Sequence, residues 1–297
     1  MKIVIGTRGS KLAVAQAEYV KRCLEEKYPE DEISLKRIKT RGDRIQNRAL
    51  GEIGGKGVFV REIEKELLDG EIQLAVHSMK DMPAEIPEGL VFAKAWGRED
   101  PRDVLVLREA SSFSELPPQA KIGTGSRRRG IQLKMLSPHL EIVDIRGNVE
   151  TRLAKMREQQ LDGIVLAAAG LHRLGKSDLV TQYLTPEEMV PAPAQGILGI
   201  ELRGDQKELL CKVNALSDEK TDRILQTERS FVREMGGDCT LPIGAYAEIL
   251  PDGKLSLLAA YGTELSKRLY RVQTCGKTPK ETASLAVQMI KDAQRWG

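Results

Sequence analysis

Aromatic side chains are scarce, 4% of the chain, so there is no broad stacking platform for nucleic-acid bases. Net charge is scarce as well. A formal charge of +3 lacks the strong, clustered excess of a nucleic-acid-binding domain. Long apolar runs are missing. The run from Ile3 to Ile5 stops at Gly6, so neither a signal-peptide core nor a bilayer-spanning stretch is legible, and the chain is expected to stay in the cytoplasm. The four cysteines, Cys23, Cys211, Cys239 and Cys275, lie far apart and form no C-x-x-C pair. That argues against a disulfide framework and against a zinc site. Each first reads as a reduced, mostly buried filler. Of the three histidines, His77 reads as structural at a strand end, and His139 and His172 show no partner. There is no G-x-x-x-x-G-K-[ST] phosphate loop, no tandem repeat and no low-complexity tail.

What is present fits a globular protein, with 41% apolar and 30% charged residues. At 297 residues the chain exceeds one ordinary core and calls for two or three domains. Strands are predicted at Lys2–Ile5, Ile33–Lys39 and Leu74–His77, with helices around Ala13–Leu24 and Phe59–Leu67 between them. The alternation resumes after Glu99-Asp100-Pro101-Arg102-Asp103 with a strand at Lys121–Gly123, a helix at Ser126–Leu136 and a strand at Glu141–Ile145. A helix through Val149, Leu153 and Met156 and a strand at Gly163–Leu166 complete it. Such alternation predicts α/β architecture with a largely parallel sheet. Pro191–Gly196 reads as a crossing segment before a strand at Ile197–Leu202, and Ser217 as the start of a long helix that Gly236-Gly237 ends. Three sequential strands follow at Ile243–Ile249, Leu255–Tyr261 and Arg268–Thr274. The turn Pro251–Lys254 joins the first two, and a last helix carries Leu285, Met289 and Ile290, which suggests a small α+β domain. The segment Thr40–Gly57, rich in glycine and charge, reads as a long mobile loop.

The arginines fall where chemistry is expected. Gly123-Thr124-Gly125-Ser126-Arg127-Arg128-Arg129 leaves a strand and opens a helix, where unpaired N–H groups already favour an anion. Arg146-Gly147-Asn148 repeats the arrangement with Arg152 one turn on, and Arg8 does so in the first strand–helix turn, where Ser10 is placed to cap. Guanidinium groups there suit carboxylate or phosphate, and in open α/β sheets ligands bind beyond the carboxyl ends of strands. Arg127 is the weakest of the set and reads equally well as solvated. Lys80-Asp81 follows a buried strand. It reads either as a cap or loose ion pair, or as a carboxylate among cations able to stabilise a cationic intermediate or move protons.

Eight segments taken in order carry a family resemblance: Gly6–Ser10, Gly54–Gly57, Val76–Asp81, Glu99–Asp103, Ile145–Val149, Ala168–Gly175, Pro191–Gly196 and Cys239–Gly244. Together they resemble the porphobilinogen deaminase family along nearly the whole chain. The resemblance implies an α/β fold of two periplasmic-binding-protein-like lobes plus a small α+β C-terminal domain. The lobes would be 1–97 with 196–216, and 98–195; the cofactor-carrying domain would be 217–297. It implies a transferase that condenses four porphobilinogen molecules head to tail with loss of ammonia, on a covalent dipyrromethane cofactor held by a thioether to Cys239, and then releases hydroxymethylbilane by hydrolysis. Asp81 matches the catalytic carboxylate. Lys80, Ser126, Arg128, Arg129 and Arg146 match cofactor-binding positions, and Arg8, Ser10, Lys56, Arg152, Arg173 and Gln195 match substrate-binding ones. The glycine-rich Thr40–Gly57 segment would be a lid. Porphobilinogen bears acetate and propionate groups, which is what a set of arginines would answer. Asp238 stands where the family commonly has glycine. No metal, nucleic acid or membrane enters this picture, and a monomer is expected. A two-lobed anion sensor would explain the arginines but not Cys239, and a nucleic-acid binder would explain Arg127–Arg129 but not the missing aromatics and charge.

Overall fold

A computed structural model describes residues 1–40, 60–83, 85–237, 241–263 and 267–296. The expected lid beyond Thr40, with Lys56, and the expected cofactor attachment residue Cys239 lie outside the described residues. The chain divides into two compact units. One is formed by Met1–Arg98 with Ile197–Asp222, the other by Glu99–Gly196 with Arg223–Gly297.

The first unit is built on strands β1 (Lys2–Arg8), β2 (Glu32–Ile38), β3 (Leu74–Ser78), β4 (Leu90–Phe92) and β10 (Leu198–Arg203), in the order β2-β1-β3-β10-β4. Helix α1 (Lys11–Lys27) buries Ala17, Val20 and Leu24 against Ile3, Ile5 and Leu74 of the sheet, the i, i+3, i+7 spacing of one helical face. Helix α2 (Arg61–Leu68) covers a second apolar patch with Ile63 and Leu67. Strand β3 has four consecutive buried residues, as befits a strand covered on both faces.

The second unit holds β5 (Asp103–Leu107), β6 (Lys121–Gly123), β7 (Glu141–Val143), β8 (Gly163–Ala167) and β9 (Gln182–Tyr183), ordered β7-β6-β8-β5-β9. Helices α3 (Arg127–Leu136), α4 (Val149–Glu158) and α5 (Ala168–Arg173) follow β6, β7 and β8. Its C-terminal part is an antiparallel meander of β11 (Ile243–Ile249), β12 (Leu255–Tyr261) and β13 (Tyr270–Gly276). Phe231 of α7 (Glu219–Glu234) and Ala283, Ala286 and Ile290 of α8 (Pro279–Trp296) pack on that sheet in a core of their own. The fold class is therefore the expected one, two α/β sheets and a small α+β C-terminal domain.

Three expectations need correction. The sheets are mixed rather than largely parallel: β10 runs antiparallel to β3 and β4, and β5 runs antiparallel to β8 and β9. The long helix α7 begins at Glu219 rather than at Ser217, capped by Asp218, which accepts from Thr221 N at 3.0 Å, and a separate helix, α6 (Lys207–Asn214), precedes it. Cys211 and Cys275 are exposed and Cys23 is half-buried, so none of the three is the buried filler expected. No helix among the described residues is long and apolar enough to cross a membrane.

Candidate functional site

In the first unit β1 and β3 are adjacent and parallel, so their carboxyl ends reach the same sheet edge. Arg8 closes β1, and Ser10 caps α1 by accepting from Ala13 N at 3.3 Å. The end of β3 runs into a single 3-10 turn, Met79–Asp81. Antiparallel β10 starts at this edge, with Leu198 opposite Ser78, and the Ile197 carbonyl accepts from Met79 N at 3.0 Å. Ser78 is tied to Gln16 of α1, whose side-chain nitrogen donates to Ser78 Oγ at 2.9 Å. The sequence-predicted residues Arg8, Ser10, Lys80 and Asp81 thus share one edge. Asp81 is exposed.

In the second unit the edge is defined by the ends of β6, β7 and β8. Asp103 is delivered to it by the reversed strand β5, opposite Ala167. Asp103 is fully buried. Its Oδ2 accepts from Arg128 Nη1 at 2.7 Å. Its Oδ1 accepts from Arg129 Nη2 at 2.6 Å, Arg129 Nε at 3.1 Å and Gln195 Nε2 at 2.9 Å. Arg128 also donates to the Val190 carbonyl and Arg129 to the Val165 carbonyl. Burial alone would raise the Asp103 carboxyl. The two guanidinium groups overcome that and hold it far below the usual carboxylate range. Burial acts on Arg128 in the opposite sense, lowering its pKa against the pull of Asp103. Two cations share one carboxylate, which leaves a surplus positive charge in a buried place.

Ser126 caps α3, accepting from Arg129 N at 3.4 Å, and Arg127 is exposed. Gly125 lets two loops meet. A Cβ there would fall 2.8 Å from Asp144 Oδ1 and 2.9 Å from the Ile145 carbonyl, so a side chain would push Ser126 away from the Arg146 loop. Arg146 pairs with Asp144 at 3.2 Å. Arg152 donates from Nε to the Gly147 carbonyl at 2.8 Å, and Gly147 takes φ 122°, open to glycine. Arg173 donates to the Gly196 carbonyl at 2.6 Å, which also accepts from Glu99 N. The crossing segment is held where Ala194 adopts φ 60°, unusual for alanine; the buried Glu228 fixes it by accepting from Ala194 N at 2.6 Å.

The sequence reading passed over Asp103 and Glu228. For Asp103 a signal existed, an acidic residue opening an apolar strand in the Glu99–Asp103 motif; for Glu228 there was none. His172 does have partners, Glu99 Oε1 at 3.0 Å, 73 residues away, and the Tyr183 hydroxyl at 2.9 Å, 11 residues away. Among the described residues no cluster of histidine, cysteine and acidic side chains suits a metal ion.

Fold and site together define a class: an α/β protein of two sheet-bearing lobes whose strand ends carry guanidinium groups, the donors that suit carboxylate or phosphate. Among solved structures it resembles the methionine-binding protein MetQ, with TM-score 0.44 and 13% identity over 72% of this chain and 89% of that one. It also resembles a probable amino-acid ABC transporter extracellular-binding protein from Bacillus subtilis, with TM-score 0.44 and 12% identity over 80% and 98%. Family models resolve the class. "Porphobilinogen deaminase, dipyromethane cofactor binding domain" matches residues 3–211, and "Porphobilinogen deaminase, C-terminal domain" matches 224–292. A porphobilinogen deaminase of Lachnospira eligens is 53% identical over 96% of this chain and 98% of that protein. That of Clostridioides difficile is 46% identical over 100% and 99%. The chain belongs to the porphobilinogen deaminase (hydroxymethylbilane synthase) family, transferases of tetrapyrrole biosynthesis with a dipyrromethane cofactor-binding domain.

Proposed function

We propose that the chain performs the stepwise, deaminative condensation of four porphobilinogen molecules, with its residues organised in three domains: 1–97 with 196–216, 98–195, and 217–297. The observation that carries the reading is the surplus charge of Arg128 and Arg129 over Asp103. Such a cluster is completed by an anion, and a cofactor bearing carboxylates fits it. Arg128, Arg129, Ser126, Arg146 and Lys80 would hold that cofactor, tethered by a thioether to Cys239. When bound, dipyrromethane supplies the pyrrole carbon at which chain growth starts.

Each carboxylate met by an arginine gains about 1.5–3 kcal/mol from a charge-assisted hydrogen bond. Arg8, Ser10, Lys56, Arg152, Arg173 and Gln195 serve the substrate. For Gln195 this service is indirect: its amide donates to Asp103 and to the Pro101 carbonyl and so braces the arginine pair. Asp81, exposed on a turn pinned to β10, is an acceptor on a rigid mount. As ammonia leaves the substrate, positive charge develops on the pyrrole, and a fixed carboxylate stabilises it while water is the alternative partner. The enzyme works in the cytoplasm as a monomer and binds no nucleic acid.

Asp81→Asn tests the reading. The amide keeps the shape and loses the charge, so steady-state turnover of porphobilinogen should fall by at least about 100-fold, in line with loss of one electrostatic stabiliser, while the melting temperature holds. Near-normal turnover would remove Asp81 from the mechanism.

A further inference from the structure

Directly behind the Met79–Asp81 turn lies a buried polar cluster to which the reaction above gives no role. His77, 7% exposed, is the penultimate residue of β3, and its Nε2 lies 3.0 Å from Oε2 of Glu201, which is 0% exposed on β10. The two are not opposite each other. His77 faces Gly199 and Glu201 faces Ala75, so the bond runs diagonally across the antiparallel pair. Glu201 Oε1 is buried and has no hydrogen-bond partner among the described residues. Glu64 of α2, 6% exposed, adds a second carboxyl. Burial first, and the charge of Glu201 second, push Glu64 toward its neutral form, with His77 and Arg61 opposing. Phe92 of β4 meets the His77 ring edge to face, with centroids 6.4 Å apart.

This arrangement is a poor way to gain stability. Buried ion pairs are often matched or bettered by apolar replacements, and an orphaned carboxylate oxygen adds to the cost. What a buried directional bond does supply is register. The next residues along β3 are held by similar means: Ser78 by Gln16, and Met79 by the Ile197 carbonyl. Met79 also fills the space above Gly199, where a Cβ would come within 2.8 Å of its sulfur. The chain from His77 to Met79 is thus fixed at each residue, and Asp81 follows two residues later.

We propose that His77 and Glu201 are positioning residues for Asp81: their diagonal bond sets how far the end of β3, and with it the Met79–Asp81 turn, stands out from β10. The inference rests on the role given to Asp81 above. A shift of about 1 Å in a reacting group costs on the order of 100-fold in rate.

The test uses purified full-length protein, its cofactor content normalised by intact mass. His77→Gln can still place an N–H near Glu201, whereas His77→Asn is polar but too short, and His77→Leu removes the donor. For Asn and Leu kcat should fall about 10–100-fold with KM within about twofold, and melting should be unchanged or, for Leu, higher. His77→Gln should retain kcat within about threefold of wild type. The Asn and Gln pair decides the matter even if the Leu protein does not fold. Equal losses for Asn and Gln, wild-type kcat for Asn, or losses that track melting temperature would overturn the inference. Asp81→Asn is measured alongside. If it is active, the Asp81 role itself fails; if it is inactive while His77→Asn is normal, only the positioning role fails.

Discussion

Asp103→Asn is the most informative change in the second unit. The carboxylate takes three bonds on Oδ1 and one on Oδ2, all from Arg128, Arg129 and Gln195. An amide offers one acceptor. Whichever way it turns, its NH2 group faces a guanidinium, and both arginines lose the counter-charge they share. Breaking a buried pair by removing one partner costs about 3–5 kcal/mol. At about 2–4 °C per kcal/mol for a domain of this size, melting should drop by roughly 6–20 °C. The loss should also depend on pH. The folded-state pKa of Asp103 is depressed, so its stabilisation is fully present above the unfolded value of about 3.9 and is lost as pH falls toward the folded value. The melting curves of wild type and variant should therefore draw together on acidification. Calorimetric scans from neutral pH downward read this directly, and intact mass on the same samples should show reduced cofactor content. A variant that melts within a degree or two of wild type at neutral pH and carries a full cofactor increment would refute the reasoning.

Two further outcomes follow from the same contacts. Arg128→Leu should prevent cofactor assembly, because it acts in the buried cluster. Arg152→Leu, which removes a guanidinium whose Nε donates to the Gly147 carbonyl of its own loop, should assemble cofactor but stall chain growth; mass spectrometry of enzyme given limiting substrate separates the two. Glu64→Gln should raise the melting temperature at neutral pH and leave it unchanged near pH 4, because a raised folded pKa means stability is lost as pH rises through it. A gain of equal size at both pH values would contradict a raised Glu64 pKa.

Much of the architecture is local and so was legible. Lys121–Gly123, Ile243–Ile249 and Leu255–Tyr261 have the bounds that apolar alternation and turn residues indicate, and Ser10 caps the helix its position suggests. Strand direction was not legible. It depends on which edge the chain returns to after Pro191–Gly196 and after Asp100-Pro101, a non-local choice that leaves periodicity unchanged. The same reversal hid Asp103, since only an antiparallel β5 brings its first residue to the arginine-bearing edge. The carboxylate partners of His77 and His172, Glu201 and Glu99, lie 124 and 73 residues away, beyond any spacing argument. The family-derived residue roles come from collinear motifs rather than from local physics, and Arg128 and Arg129 show the difference. Spacing suggested arginines open to a ligand, whereas packing makes them half of a buried charge cluster.

The central claim is that one cysteine carries the cofactor, and peptide mapping of the purified protein tests it most directly. Cys239→Ala should have the unmodified chain mass, no turnover and a lower melting temperature, while alanine at Cys23, Cys211 or Cys275 should each retain the dipyrromethane increment. In the wild-type digest that increment should sit on the peptide containing Cys239. Its appearance on any other cysteine, or a Cys239→Ala protein that still carries it, would contradict the account.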